Sequence, residues 1–440
     1  MSVYPPVKVG LLGLGTVGGG VTRVLARNAG EISRRAGREI LITHAAAQNL
    51  ATTTANTAGM KLTHEALEVV DDPEVSIIVE LMGGYEPARS LALRALANGK
   101  HVVTANKALI ARHGNEIFAA ARAAGMMVGF EAAVAGGIPI IKALREGLAG
   151  NRLEWVAGII NGTANFILTE MRGKGRDFPE VLAEAQALGY AEADPSFDID
   201  GIDAAHKLTI LASIAFGVPL QFDQVYIEGI RHITRDDVAY ATKLGYRIKH
   251  LGIARRDENG VQLQVHPTLI PQRHLLANVN GVMNAVLVKG DAVGQSLFYG
   301  AGAGAEPTAS AVVADIIDVT RTLTTDPENR VPHLAFQPDA LEDLPVLPME
   351  KVETACYLRL LALDRPGVLA DITRILADCG IRIEALLQKE APPSASVVPI
   401  VLLVNRVREQ RMNEAVTAIE ALDSIRAPVM RVRLEYLDSD

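Results

Sequence analysis

The sequence predicts an α/β protein in three parts: a doubly wound parallel sheet, an α+β middle, and a small C-terminal β-α-β-β-α-β unit. Three observations lead there. The first third alternates strand-length apolar runs with helix-length periodic stretches, as parallel strands joined by helices do. The chain has 440 residues, enough for roughly three domains at ~150 residues each. Residues 324–350 are rich in Pro, Asp, Glu and Asn, lack periodicity, and read as a linker ahead of residues 351–440.

In chain order, Val7–Leu12 reads as a strand, Thr16–Asn28 as a helix and Ile40–Ala46 as a second strand. Thr63–Val69 reads as helical, Val75–Leu81 as a strand, Pro87–Asn98 as a helix and His101–Thr104 as a strand. Asn115–Ala124 and Met127–Phe130 add a helix and a strand, which puts the first domain at residues 1–135. A second domain, for substrate binding and dimerisation, is expected over residues 136–306. Leu153–Ile160 reads as its first strand, Pro179–Leu188 and Ile202–Phe216 as helices, and Val261–Phe298 as strands broken by turns. The helical stretch 307–323 is expected to return and complete the first domain. In the last domain, Tyr357–Leu363, Ile381–Gln388, Val397–Val404 and Val429–Leu434 read as strands. Gly367–Asp378 and Glu409–Leu422 read as its helices, in the ferredoxin-like order.

Composition excludes several classes. Hydrophobic residues make up 49% and charged residues 21%, a soluble globular profile. No apolar run approaches the ~18–20 residues that span a bilayer, so no membrane association is expected. The N-terminus lacks the charged start and apolar stretch of a secretory leader. Only two cysteines occur, Cys356 and Cys379, without CxxC spacing, so a disulfide scaffold is not expected and a reducing cytoplasm is. The net charge is −8 and no Lys/Arg run offers a nucleic-acid footprint. Partners are expected to be small molecules and other copies of the chain.

Gly13-Leu14-Gly15-Thr16-Val17-Gly18 matches GxGxxG. It follows a strand and opens a helix, the context that turns a weak motif into a dinucleotide loop of the Rossmann type. Gly13 permits the turn, Gly15 lets backbone approach a pyrophosphate, and Gly18 allows close helix–strand packing. The helix N-terminus supplies free N–H groups and a positive dipole end. An acid after the second strand favours NAD and an Arg there favours NADP. Here the strand runs into Gln48-Asn49, with neither, and both cofactors stay open.

Between Gly189 and Lys207 lie five carboxylates within twelve residues: Glu192, Asp194, Asp198, Asp200 and Asp203. Asp203 and Lys207 stand four apart and share a helix face. Leu208-Thr209-Ile210-Leu211-Ala212 follows, so the lysine enters a buried helix beside carboxylates, a candidate site. A carbonyl reductase needs such a group, because hydride addition leaves an alkoxide that an ammonium can protonate. Glu192 and Asp198 suit a substrate ammonium through charge-assisted hydrogen bonds.

The segment Gly189-Tyr190-Ala191-Glu192-Ala193-Asp194-Pro195, with Asp198, Gly201, Asp203 and Lys207, resembles the homoserine dehydrogenase signature. Val103-Thr104-Ala105-Asn106-Lys107, Asn161-Gly162-Thr163-Ala164-Asn165 and Glu131-Ala132-Ala133-Val134-Ala135-Gly136-Gly137-Ile138-Pro139 are similar to that family too. The resemblance runs from Val7 to about Thr322. It implies NAD- or NADP-dependent interconversion of L-aspartate 4-semialdehyde and L-homoserine, in threonine, methionine and isoleucine biosynthesis. It implies Lys207 as proton donor and acceptor, Asp203 as its support, and Lys107 as a second candidate beside nicotinamide and substrate. It places substrate at Gly189, Glu192, Asp198 and Lys107. It places cofactor on Gly13, Gly15, Thr16, Val17 and Gly18, and on Thr104, Lys107 and Gly304. Glu131, Val134, Gly136 and Ile138 match a family site for a monovalent cation, commonly sodium, held by backbone carbonyls. The family often carries Arg-Asp where this chain has Gln48-Asn49, and the departure removes a charge that would meet a 2′-phosphate.

Asp364-Arg365-Pro366-Gly367-Val368-Leu369 joins a strand to a helix and leaves helix N–H groups near Val368. With the strand order, this resembles an ACT domain, and the implied effector is threonine. A purely dimerising module is the alternative. Such a sheet has an exposed edge and face, so a homodimer or homotetramer is expected. A non-catalytic sensor of dinucleotide and amino acid would leave Glu192, Asp203 and Lys207 without a joint role. A semialdehyde dehydrogenase with a nucleophilic cysteine is excluded, since both cysteines lie in the C-terminal part.

Overall fold

The computed structural model describes residues 4–51, 53, 55–388 and 396–437. Its N-terminal sheet has six strands in the order Lys61–Thr63, Ile40–Ala46, Val7–Leu12, Ile77–Glu80, His101–Thr104 and Val128–Gly129. All neighbours are parallel. Val7–Leu12 is buried on both faces, as its unbroken apolar run requires. The strand order reverses beside it, so the crevice beyond its C-terminal end is the place for a ligand.

The expected returning helix is present as Ala305–Thr322. Its Val312 and Ile316 share a core with Val9, Leu11 and Val21. It closes on the helix Thr16–Arg27 because Gly20 has no side chain: a Cβ there would lie 2.3 Å from the Ala305 carbonyl oxygen.

The second sheet is larger than the domain reading anticipated. It has ten strands, beginning Gly294–Ala301, Met283–Gly290, Leu153–Ile159, Tyr246–Asp257, Gly260–Pro271. It then continues without a break into Met430–Leu434, Glu353–Leu363, Val397–Arg408 and Ile383–Gln388. The short strand Tyr226–Ile227 also pairs with Gly260–Pro271. The join between the two parts is parallel, Thr268–Leu269 against Arg433–Leu434.

That join corrects the expectation of an open C-terminal module. One edge, Met430–Leu434, is paired within the chain. One face, with Tyr357, Val401 and Val432, shares a core with Ile233, Val238 and Tyr240 of the middle domain. The other face packs its own two helices through Ile372, Leu376, Met412 and Ile419. Among the described residues, the module's remaining edge, Ile383–Gln388, pairs on one side only.

The strand Tyr246–Asp257 and the helices Gly162–Lys174 and Arg235–Lys243 were not among the expected elements. Nor do residues 324–350 hang free. Glu342 N–H donates to the Gly217 carbonyl at 2.8 Å, and His333 stacks on Phe118 with centroids 4.9 Å apart. Val346 bridges to Val261.

Candidate active site

The helix Ile202–Phe216 carries the centre. Its sequence is apolar on nearly every face, so it is buried along its length. Gly201, with φ 90°, turns the chain into it. Asp203 therefore enters the interior in the first turn, where the helix dipole favours an anion.

Asp203 is 2% exposed. Its Oδ2 accepts from Lys207 Nζ at 2.7 Å and from Asn161 Nδ2 at 2.9 Å. Its Oδ1 lies 2.7 Å from Lys107 Nζ. One carboxylate thus holds two ammonium groups from two helices. Lys207 Nζ also donates to the Ile160 carbonyl at 2.7 Å, and Asn161 Nδ2 donates to Asp198 Oδ1 at 2.7 Å.

The electrostatics separate the two lysines. Burial opposes ionisation of Asp203, but Lys207 and Lys107 overcome it and hold the carboxyl well below its usual range. Burial dominates at Lys207 and, with the like charge of Lys107, holds its ammonium below the ordinary lysine value despite Asp203. Lys107 is only half-buried; desolvation lowers it, but Asp203, Asp198 and Glu192 outweigh that and raise it. Burial and then Asp203 raise Asp198. Lys207 is the amine that gives up its proton more readily.

Lys107 reaches the centre from the N-terminus of the helix Lys107–Ala123. Asn106 caps that helix, accepting from Leu109 N–H at 3.1 Å and donating to the Gly84 carbonyl at 2.7 Å. Thr104 hydroxyl donates to Glu80 Oε2 at 2.7 Å and accepts from Asn106 N–H at 3.0 Å. Its side chain shapes this turn. Over the Lys107 ammonium lies Phe197, with the ring centroid 5.6 Å away. His206 packs against Phe197 and stacks on Phe222 with centroids 4.2 Å apart. Burial pushes His206 down to about 4, so it is neutral.

Glu192 is exposed on the loop before the helix Ile202–Phe216, and its charge is felt at Lys107. Gly189, at φ 74°, ends a helix and forms the turn into that loop. At the other end of the crevice, Gly13 has φ 104°. A Cβ at Gly18 would lie 2.1 Å from the Gly13 carbonyl, whereas a Cβ at Gly15 meets nothing within 4 Å. Gly15 borders open space and no side chain caps the helix that starts at Thr16 and Val17. A second helix start stands nearby, at Ala305 after Gly304 with φ 132°. A dinucleotide fits these residues. Gln48 and Asn49 are exposed beyond the second strand.

Glu131 is buried, and its carboxylate accepts from Ile141 and Lys142 N–H, each at 2.8 Å. It caps the short helix that follows. Ala135 and Gly136 take positive φ, 53° and 46°, and curl the chain between Val134 and Ile138. Val134 and Gly136 are buried and, among the described residues, their carbonyls accept no hydrogen bond. Buried carbonyls without donors suit a cation or water. Among the described residues no group of three His, Cys, Asp or Glu side chains is placed to hold a metal.

Asn161 and Thr163, whose hydroxyl donates to Asp198 Oδ2 at 3.2 Å, stood in a family-like segment but were given no role from sequence. Glu80 and the Ile160 carbonyl were not singled out and had no local signal.

Comparison with known proteins places the chain in a family. The family model described as homoserine dehydrogenase matches residues 139–317, and that for the homoserine dehydrogenase NAD binding domain matches residues 13–131. An ACT domain model matches residues 357–423. A homoserine dehydrogenase of Pseudomonas aeruginosa is 64% identical over 98% of this chain and 100% of its own. The crystal structure of a homoserine dehydrogenase from Thiobacillus denitrificans superposes with TM-score 0.95 at 67% identity, covering 99% of both chains. A hyperthermophilic archaeal homoserine dehydrogenase in complex with NADPH has TM-score 0.61 at 26% identity, covering 72% of this chain and 98% of its own. Matches of sequence and structure along nearly the whole of both chains give one conclusion: this chain belongs to the homoserine dehydrogenase family, as an NAD(P)-dependent oxidoreductase with a C-terminal ACT domain.

Proposed function

We propose that the enzyme interconverts L-aspartate 4-semialdehyde and L-homoserine with Lys207 as proton carrier. The observation that carries this is the shared carboxylate: Asp203 fixes Lys207 and Lys107 at 2.7 Å each. The nicotinamide, when bound, takes or gives the hydride. Lys207, held below its ordinary value, accepts the hydroxyl proton in oxidation and returns it in reduction. Asp203 keeps the amine in place and stabilises its charged form. Lys107 stays protonated and holds the carbonyl oxygen. Glu192 and Asp198 take the substrate ammonium, and Gly189 aims the loop that carries Glu192. Asn161 holds Asp198 and Asp203 in register. The test is turnover of homoserine by Lys207→Ala and Lys107→Ala. Lys207→Ala is expected to lose activity by orders of magnitude while cofactor binding persists; near-normal turnover moves the proton to Lys107 or water.

Cofactor rests on Gly13, Gly15, Thr16, Val17 and Gly18, with Gly304 at the second helix start. Thr104 acts through the Lys107 turn. Because Gln48 and Asn49 carry no charge, both NAD and NADP are taken. Glu131, Val134, Gly136 and Ile138 hold a monovalent cation, sodium, through their carbonyls, and sodium is expected to raise the melting temperature where tetramethylammonium does not. Threonine binds the ACT domain near Val368 and inhibits, which assays with and without threonine check. Gly294–Ala301 ends the large sheet and exposes Tyr299 by 58%. Such an edge supports a homodimer or homotetramer, measured by light scattering. The reaction belongs to threonine, methionine and isoleucine biosynthesis in the cytoplasm.

A further inference from the structure

We infer that the C-terminal module sets the entry of the catalytic helix through one contact, buried Arg433 with half-buried Glu228, which makes both of them positioning residues for the reaction. Arg433 lies on the module's last strand and is 1% exposed. A guanidinium stays charged, so its burial demands carboxylates. Glu409 of the module supplies one, accepting from Nε at 2.9 Å and Nη2 at 3.0 Å. The second comes from outside the module: Nη1 donates to Glu228. Tyr226 hydroxyl accepts from Nη2 at 3.0 Å and donates to the same Glu228 oxygen at 3.0 Å.

The segment that holds Glu228 rests directly on the turn into the catalytic helix. A Cβ at Gly229 would lie 2.5 Å from the Ile199 carbonyl and 2.7 Å from Asp200 Cα. Ile230 N–H donates to Ile199 at 2.9 Å. The Glu228 carbonyl bonds to His250 Nε2 at 3.0 Å. A Cβ at Gly201 would meet His250 and Ile227 at 3.2 and 3.0 Å. The turn is clamped between backbone and ring, without room to shift alone. Asp198 precedes it and Asp203 follows it. Movement of Glu228 therefore moves both carboxylates of the centre.

A second buried pair docks the module and supplies the control. Arg359 donates to Asp237 from Nε at 2.6 Å and from Nη2 at 3.0 Å. Asp237 completes the capping box of the helix Arg235–Lys243, and its hydrogen bonds run to Thr234, Tyr357 and Arg359 rather than to the Ile199–Gly201 turn. A loss of docking touches both pairs, whereas positioning depends on Glu228.

The test uses the full-length enzyme, with homoserine oxidation, cofactor binding by fluorescence, and thermal unfolding. Glu228→Gln keeps the shape and removes the charge. It is expected to lower kcat about tenfold, as small misplacements of reacting groups do, with the cofactor Kd and homoserine KM changed by less than about twofold. Arg433→Lys is expected to act alike, and the double variant to be no worse than the worse single one, the signature of one coupled contact. Arg359→Lys is expected to keep kcat. A wild-type kcat in Glu228→Gln, an additive double variant, or an equal loss in Arg359→Lys would overturn the inference. Should Arg433→Lys fail to fold, Glu228→Gln decides. The inference rests on proton transfer at Lys207, and the two separate cleanly. Normal turnover in Lys207→Ala defeats that reading. Lost turnover there with an unaffected Glu228→Gln defeats only the coupling.

Discussion

Replacing Asp203 by Asn removes the charge that two ammonium groups share while keeping a group that accepts from Asn161. Lys207 and Lys107 sit on different oxygens of that carboxylate, each at 2.7 Å. Their nitrogens are then on the order of 5 Å apart, and at an effective dielectric of ~20 they repel by ~3 kcal/mol. That is about two pKa units. In the wild type Asp203 offsets it; in Asp203→Asn only the weaker charges of Asp198 and Glu192 stand against it. Lys207 is already held low by burial, so it is the group that loses its proton. Reduction needs the ammonium, so its activity is expected to fall away at a pH about two units lower than in the wild type. Oxidation needs the neutral amine, so its acid limb moves down by the same amount. Cofactor binding is expected to stay intact. The assay is nicotinamide absorbance in both directions across pH. Profiles of Asp203→Asn that keep the wild-type limbs in both directions would refute the shared-carboxylate account.

Other predictions follow from single positions. Gly15→Ala is expected to keep the melting temperature and weaken dinucleotide binding, because its Cβ meets no protein atom within 4 Å. Gly18→Ala is expected to lower both, because its Cβ lies 2.1 Å from the Gly13 carbonyl; isothermal titration and thermal unfolding separate them. Gln48→Arg is expected to raise kcat/KM for NADP over NAD by about tenfold, through a charge for the 2′-phosphate. Lys249 is 1% exposed, and burial lowers it from 10.5 to about 7. Between those values the unfolded chain binds more protons, so unfolding free energy rises with pH, by up to about 1.4 kcal/mol per unit. Lys249→Met is expected to flatten that rise in denaturant titrations.

Much of the centre was legible because its signals are local. GxGxxG after an apolar strand needs six residues and their flanks. Asp203 and Lys207 are one helical turn apart, so their shared face follows from spacing. Lys107 was within reach only through family likeness, since nothing in residues 103–107 shows that it meets Asp203 across 96 positions. Glu80 and the Ile160 carbonyl were illegible for the same reason. The strand Tyr246–Asp257 was missed because it ends in charged residues, with Arg255, Arg256 and Asp257 hiding the alternation.

The sequence by itself determined the strand–helix alternation of the first domain, the dinucleotide turn, the helix that buries Asp203 and Lys207, and the C-terminal unit's topology. Each depends on neighbours in the chain: hydrophobic period, glycine at positive φ, and capping residues. Only the tertiary structure decided that two sheets fuse at Leu269 and Leu434, that residues 324–350 are packed, and that Arg433 meets Glu228. Strand edges pair through backbone groups that every residue carries, so pattern alone does not name the partner. Buried charges choose among carboxylates by proximity, which only the folded chain creates.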